Sequence, residues 1–120
     1  MMDQKKIFVC DDDSGIADML EMVFEILDSE TVTETNSIHA YEKILHLKPD
    51  VVIVDLWMPV VTGDQLIRKI RKNEDMKETF ILCISASRDG KDIALEAGAN
   101  TFLPKPFDLD EILAIVEKAL

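Results

Sequence analysis

The feature that most constrains this chain is a repeated alternation: short strand-like runs that end at a polar residue, each followed by a stretch of helical periodicity. Ile7-Phe8-Val9-Cys10 stops at Asp11. Thr31-Val32-Thr33-Glu34-Thr35 is β-branched and alternating, the pattern of an edge strand. Val51-Val52-Ile53-Val54 is apolar throughout, as a central strand covered on both faces must be, and it stops at Asp55. Phe80-Ile81-Leu82-Cys83-Ile84 stops at Ser85, and Thr101-Phe102-Leu103-Pro104 leads to Lys105.

Between these runs the apolar spacing changes to that of helices. Ile16, Met19, Leu20, Val23, Phe24 and Leu27 form one stripe, with Asp13 or Ser14 as its N-cap. Ser37 opens a second helix with Ile38, Tyr41, Ile44 and Leu45 facing inward, ended by Pro49. A third runs from Gly63 to about Asn73 on Leu66, Ile67 and Ile70. The fourth spans roughly 89–97, with Gly98 as its left-handed stop. Asp108 caps the last, whose inner face is Ile112, Ile115, Val116 and Ala119. Five βα units in series require parallel strands joined by right-handed crossovers, so the expected fold is α/β, a doubly wound five-stranded parallel sheet with helices on both faces. At 120 residues the whole chain, 1–120, is expected to form one domain.

Bulk properties narrow the function. With 48% hydrophobic and 31% charged residues the chain has the composition of a globular protein. Its net charge of −11 repels nucleic acid and anionic lipid, so neither is expected as a direct partner. Divalent cations and basic protein patches suit it better. Met1-Met2-Asp3-Gln4-Lys5-Lys6 does not resemble a leader, and no apolar run approaches a membrane span. A cytoplasmic location is expected, with Cys10 and Cys83 as free, buried thiols.

Asp11, Asp55, Ser85 and Lys105 each stand at or just past the end of a different strand. In a parallel sheet those ends share one edge, where open α/β folds bind their ligands. Asp11, Asp12 and Asp13 beside Asp55 place many carboxylates in one cleft, and a hard divalent cation, Mg²⁺ above all, relieves their repulsion. Lys105 adds a positive charge and Ser85 a hydroxyl donor. A metal, a lysine and a hydroxyl around one carboxylate form a clamp for a transferring phosphoryl group.

These residues, in this order, resemble the receiver domains of two-component signalling, and the match covers essentially the whole chain. Ile7 to Asp13 is similar to the family's first strand and acidic pocket. Asp55-Leu56-Trp57-Met58-Pro59, with Gly63 beyond, is similar to its Asp-x-x-Met-Pro-x-x-x-Gly phosphoacceptor motif. Ser85-Ala86 and Lys105-Pro106-Phe107 resemble its two remaining signatures. The resemblance implies a CheY-like, flavodoxin-like fold with strand order 2-1-3-4-5, which would keep Cys10 and Cys83 two strands apart and too distant for a disulfide. It implies that Asp55 accepts a phosphoryl group from a sensor histidine kinase or a histidine phosphotransfer protein. It assigns Mg²⁺ to Asp12 and Asp55 directly, Asp11 through a water, and the backbone carbonyl of Trp57. Lys105 would pair with Asp55 and then with the phosphoryl group, Ser85 would hydrogen-bond it, and Phe102 would be the switch aromatic. A cis Lys105–Pro106 bond is implied too. Output would pass through the face of helix 4, strand 5 and helix 5, with its Lys91, Asp92, Glu96, Asp110, Glu111, Glu117 and Lys118, to an output domain, a protein target or a phosphorylation-dependent homodimer.

Trp57, two residues past the acceptor, is expected to hinder the water that hydrolyses the phosphoaspartate. Three alternatives stay open at this level. Asp11-Asp12-Asp13 fits the Asp-x-Asp of a haloacid-dehalogenase-type phosphatase with Asp11 as nucleophile, although the chain lacks the longer core and cap of such enzymes. A pseudo-receiver would keep the fold without the switch. An FMN-binding flavodoxin is disfavoured because the acidic cleft would repel a phosphate without a metal.

Overall fold

The computed structural model describes residues 4–120. Met1, Met2 and Asp3, the start of the stretch read as unlike a leader, lie outside the described residues. The elements alternate throughout: β1 (Lys5–Cys10), α1 (Ser14–Phe24), β2 (Ser29–Glu34), α2 (Ala40–Leu47), β3 (Val51–Asp55), α3 (Gly63–Lys72), β4 (Phe80–Ser85), α4 (Gly90–Ala97), β5 (Thr101–Pro104) and α5 (Leu109–Ala119). All pairings are parallel and the order is β2-β1-β3-β4-β5, as the resemblance implied.

Strand alternation divides the core in two. Phe8, Cys10, Val52, Val54, Ile81 and Cys83 face α2, α3 and α4, meeting Ala40, Ile44, Leu66, Ile67, Ile70 and Ala94. Ile7, Val9, Val51, Ile53, Leu82 and Ile84 face α1 and α5, meeting Leu20, Phe24, Ile112 and Val116. Every residue of β3 is buried, as its uniform apolarity predicted. Cys10 aligns with Val54, and Val54 with Cys83, so a strand separates the two free, buried thiols. Among the described residues no helix is long and apolar enough to cross a membrane.

The helix ends follow the local chemistry. Asp13, not Ser14, caps α1, its Oδ1 accepting from the N–H groups of Gly15 (2.9 Å) and Ile16 (3.3 Å). Asp108 caps α5 through Asp110 N–H. Gly98, at φ 120, ends α4.

Two sequence expectations need correction. Ser37 opens only a 3₁₀ turn, Ser37–His39, capped by Asn36, and α2 starts at Ala40. That rotation turns Ile38 (56% exposed) and Leu45 (39%) outward, so the inner face is Ala40 and Ile44 with Tyr41 at its margin. The edge strand begins at Ser29, two residues before the β-branched run, because backbone pairing with Lys5 and Lys6 needs no apolar side chain.

The edge holding the strand N-termini is closed by Arg71, at the end of α3. Its guanidinium donates to the carbonyls of Gly98 (2.8 Å), Lys77 (3.2 Å) and Thr79 (2.7 Å), and to Asn100 Oδ1 (2.7 Å). Asn100 Oδ1 also accepts from Ile81 N–H, tying the loop before β5 to the start of β4.

Candidate phosphoacceptor site

At the opposite edge the four strand-end residues converge as the sequence predicts. Asp11 follows β1, Asp55 ends β3, Ser85 ends β4, and Lys105 follows β5. Parallel register sets their level, with Asp55 aligned to Ile84 and Ser85 to Pro104. The Lys105–Pro106 bond is cis. Lys105 Nζ reaches Asp11 Oδ2 at 3.0 Å and Asp55 Oδ1 at 3.1 Å, so it bridges both carboxylates rather than serving Asp55 alone.

Asp11 is fully buried and both of its oxygens are engaged, Oδ2 by Lys105 and Oδ1 by the N–H of Asp13 (2.9 Å). Asp12 is exposed at the rim. One oxygen each from Asp11, Asp12 and Asp55 lie within 4.8 Å of one another. Asp13 leaves this group, because its carboxylate caps α1. The acidic cleft is therefore smaller than the sequence suggested, and the second carboxylate of an Asp-x-Asp phosphatase motif is absent from it.

Burial, and then the charge of Asp11, push the Asp55 carboxyl up to about 6 from an ordinary 3.8, with Lys105 only partly offsetting them. Burial alone would lower the Lys105 ammonium, but its hydrogen bonds and ion pairs with Asp11 and Asp55 prevail and hold it above the usual lysine value. Three carboxylates against one ammonium leave two negative charges uncompensated in the fully ionised site. All three carboxylate donors are hard oxygens, so the residues fit a hard divalent cation of the Mg²⁺ type.

The remaining candidates surround this centre. Ser85 is fully buried, and its Oγ accepts from Ser87 N–H (3.0 Å), leaving its own proton free to donate. Trp57 stands half exposed in the loop after Asp55, whereas Met58 turns in and its sulfur meets Cys10 Sγ at 3.5 Å. Phe102 is partly buried, its ring edge lying against the first turn of α4 beside Leu56. Gly63 explains the spacing of the motif. A Cβ there would collide with the Asp55 carbonyl and lie 2.7 Å from Leu56 Cα, while its N–H bonds the Leu56 carbonyl at 2.7 Å. An apolar groove of about 410 Å³ opens beside Lys105, lined by Ile16, Met19, Ala86, Pro106 and Phe107. Sequence reasoning missed the Lys105–Asp11 pair and the role of Ser37, which buries its hydroxyl against the loop after Asp55. Neither has a signal at short sequence range.

Comparison with known proteins agrees with this geometry. The family model for the response regulator receiver domain matches residues 7–117. The chain is 33% identical over 114 residues to the DNA-binding transcriptional regulator NtrC of Escherichia coli, across 95% of this chain and 24% of that protein. It is 36% identical over 113 residues to the transcriptional regulatory protein KdpE of Staphylococcus aureus, across 92% of this chain and 48% of that protein. It therefore spans less than half the length of these curated relatives. The structure of the Vibrio cholerae chemotaxis protein CheY4 superposes with a TM-score of 0.88 at 28% identity, covering 98% of this chain and 100% of that one. Strand order, site chemistry and sequence comparison lead to one conclusion: this chain belongs to the response regulator receiver domain family.

Proposed function

We propose that the chain, as one receiver unit over residues 1–120, is a phosphorylation-activated switch whose acceptor is Asp55. One observation carries this reading: a buried carboxylate at the end of the central strand, bridged by Lys105 and flanked by Asp11 and Asp12.

The donor is a phosphohistidine of a sensor histidine kinase or a histidine phosphotransfer protein. An Asp55 oxygen attacks phosphorus, the O–P bond forms, and the P–N bond breaks with its electron pair leaving on the imidazole. Asp12, Asp55, the Trp57 carbonyl and, through a water, Asp11 would hold Mg²⁺, which when bound would supply positive charge to the transferring phosphoryl oxygens. Lys105 holds Asp55 before transfer and a phosphoryl oxygen after it, and Ser85 donates its free proton to another. With Asp55 raised to about 6, the carboxylate is mostly ionised at neutral pH and available as a nucleophile.

Ser85 and Phe102 couple the site to α4, β5 and α5, through which a cytoplasmic output domain, a target protein or a second copy reads the state. Asp11 has both oxygens engaged and Asp13 caps a helix, so the structure offers nothing in favour of Asp11 as a phosphatase nucleophile.

Incubation with Mg²⁺ and acetyl phosphate, followed by intact mass, tests the reading. A single phosphate adduct is expected, abolished by chelation and by Asp55→Ala. An adduct that persists in Asp55→Ala and maps to Asp11 would overturn it.

A further inference from the structure

The loop after Asp55 contains the one non-glycine residue among those described, besides Lys48, with a positive φ: Val60, at φ 70. A β-branched side chain in that region is a true conformational outlier. The Val61 N–H bonds the Pro59 carbonyl at 2.9 Å, closing a γ-turn around Val60 in the strained hand. Val60 is 76% exposed, so its side chain recovers little by packing. Strain of this kind persists only where the surroundings impose it.

Ser37 is the group that grips this turn. It belongs to a different segment, the 3₁₀ turn before α2, and is 5% exposed. Its hydroxyl donates to the Pro59 carbonyl at 2.6 Å and accepts from the Val61 N–H at 3.2 Å. One side chain thus holds both flanks of the strained residue. Upstream, the loop is fixed by the Leu56 N–H on the Ile84 carbonyl at 2.9 Å and by Met58 against Cys10. Trp57 lies between these anchors with its side chain half exposed, so its backbone is oriented by what holds its neighbours.

We infer that Ser37 is a positioning residue for the metal site: it holds the acceptor loop against the strain at Val60, and so fixes the direction of the Trp57 carbonyl, the backbone member of the proposed ligand set with Asp11, Asp12 and Asp55. The inference rests on the proposed Mg²⁺ ligand set. Removing the hydroxyl lets the γ-turn relax, and the carbonyl two residues upstream of Pro59 loses its fixed direction. Relieving the strain at its source removes the need for the grip.

Mg²⁺ titrations followed by the fluorescence of Trp57, the sole tryptophan, test this, with urea unfolding run alongside. Ser37→Ala is expected to weaken Mg²⁺ binding by roughly tenfold, the scale of lost outer-shell support. In Ser37→Ala/Val60→Gly the affinity is expected to return to within about twofold of the parent, since glycine adopts positive φ freely. A merely structural serine would lower the unfolding midpoint without moving the Mg²⁺ midpoint, and that result overturns the inference. So does a double variant that regains stability but not affinity. If the parent itself fails to saturate with Mg²⁺, the metal reading falls and this inference with it. If the parent saturates and Asp12→Asn weakens binding while Ser37→Ala does not, only the positioning role is lost.

Discussion

The two edges of the sheet each hold a partly buried cation, and they use it in opposite ways. Arg71, beneath the strand N-termini, meets four neutral oxygens, three of them backbone carbonyls. Lys105, above the strand C-termini, meets two carboxylates, with a third at the rim. At the first edge, fixed dipoles satisfy a charge that never needs to change partner. At the second, negative charge exceeds what one ammonium neutralises, and burial, together with the charge of Asp11, pushes the Asp55 carboxyl up to about 6. One edge is arranged for stability, and the other holds repulsion that a cation can relieve.

The sharpest way to break this contrast is Arg71→Ala. It removes the donor shared by three carbonyls and leaves Asn100 Oδ1 with only the Ile81 N–H, and should cost about 2–4 kcal/mol in urea unfolding. Acetyl phosphate should still modify Asp55 at a rate within about twofold of the parent. A parallel collapse of both properties would show that the edges are not independent.

Asp55→Asn should do the reverse and stabilise the metal-free protein at pH 7 by about 1–2 kcal/mol, because it removes a charge disfavoured by burial and by the neighbouring Asp11. The folded Asp55 carboxyl binds its proton more tightly than an unfolded one, so its protonation favours the fold. Parent stability from this group is therefore regained as pH falls from 7 through about 6 towards 3.8, and the gap to the variant should close over that window. A gap that stays constant with pH, or a destabilised variant, contradicts the account of the site.

Smaller effects belong to uncharged groups at the same edge. Trp57→Asn should speed loss of phosphate from Asp55 by roughly threefold, under about 1 kcal/mol of barrier, if the indole hinders the attacking water. An unchanged or slower decay removes that role. Val60→Gly alone should raise stability by about 0.5–1 kcal/mol through relief of its positive φ, read as a higher urea midpoint at unchanged slope.

The difference between the edges also explains what the sequence reveals. Asp11, Asp55, Ser85 and Lys105 interrupt apolar strands, and a polar residue at such a break is visible in the chain itself. The Arg71 network is not, because its acceptors are backbone carbonyls, which no side-chain pattern encodes. Ser37 is hidden for the same reason: it grips the peptide groups of residues 22 and 24 positions away. Ile38 and Leu45 face outward against the helical pattern because a 3₁₀ turn changes the residues per turn, and so shifts the phase of everything after it. Asp13 shows the converse. Three consecutive aspartates look alike, yet one caps a helix, one is buried with both oxygens engaged, and one stands at the rim.

The two glycines beneath Asp55 and Phe102 have a mechanical consequence. At Gly63 the space is bounded by main chain, the Asp55 carbonyl and Leu56 Cα, so α3 bears directly on the acceptor strand. Sliding α3 would drag the acceptor with it. At Gly90 the neighbours are the ends of the Leu56 and Phe102 side chains, which can swing aside on their own rotors. The first contact works as a bearing and the second as a cushion, so the same molecule can hold its acceptor still while the start of α4 gives.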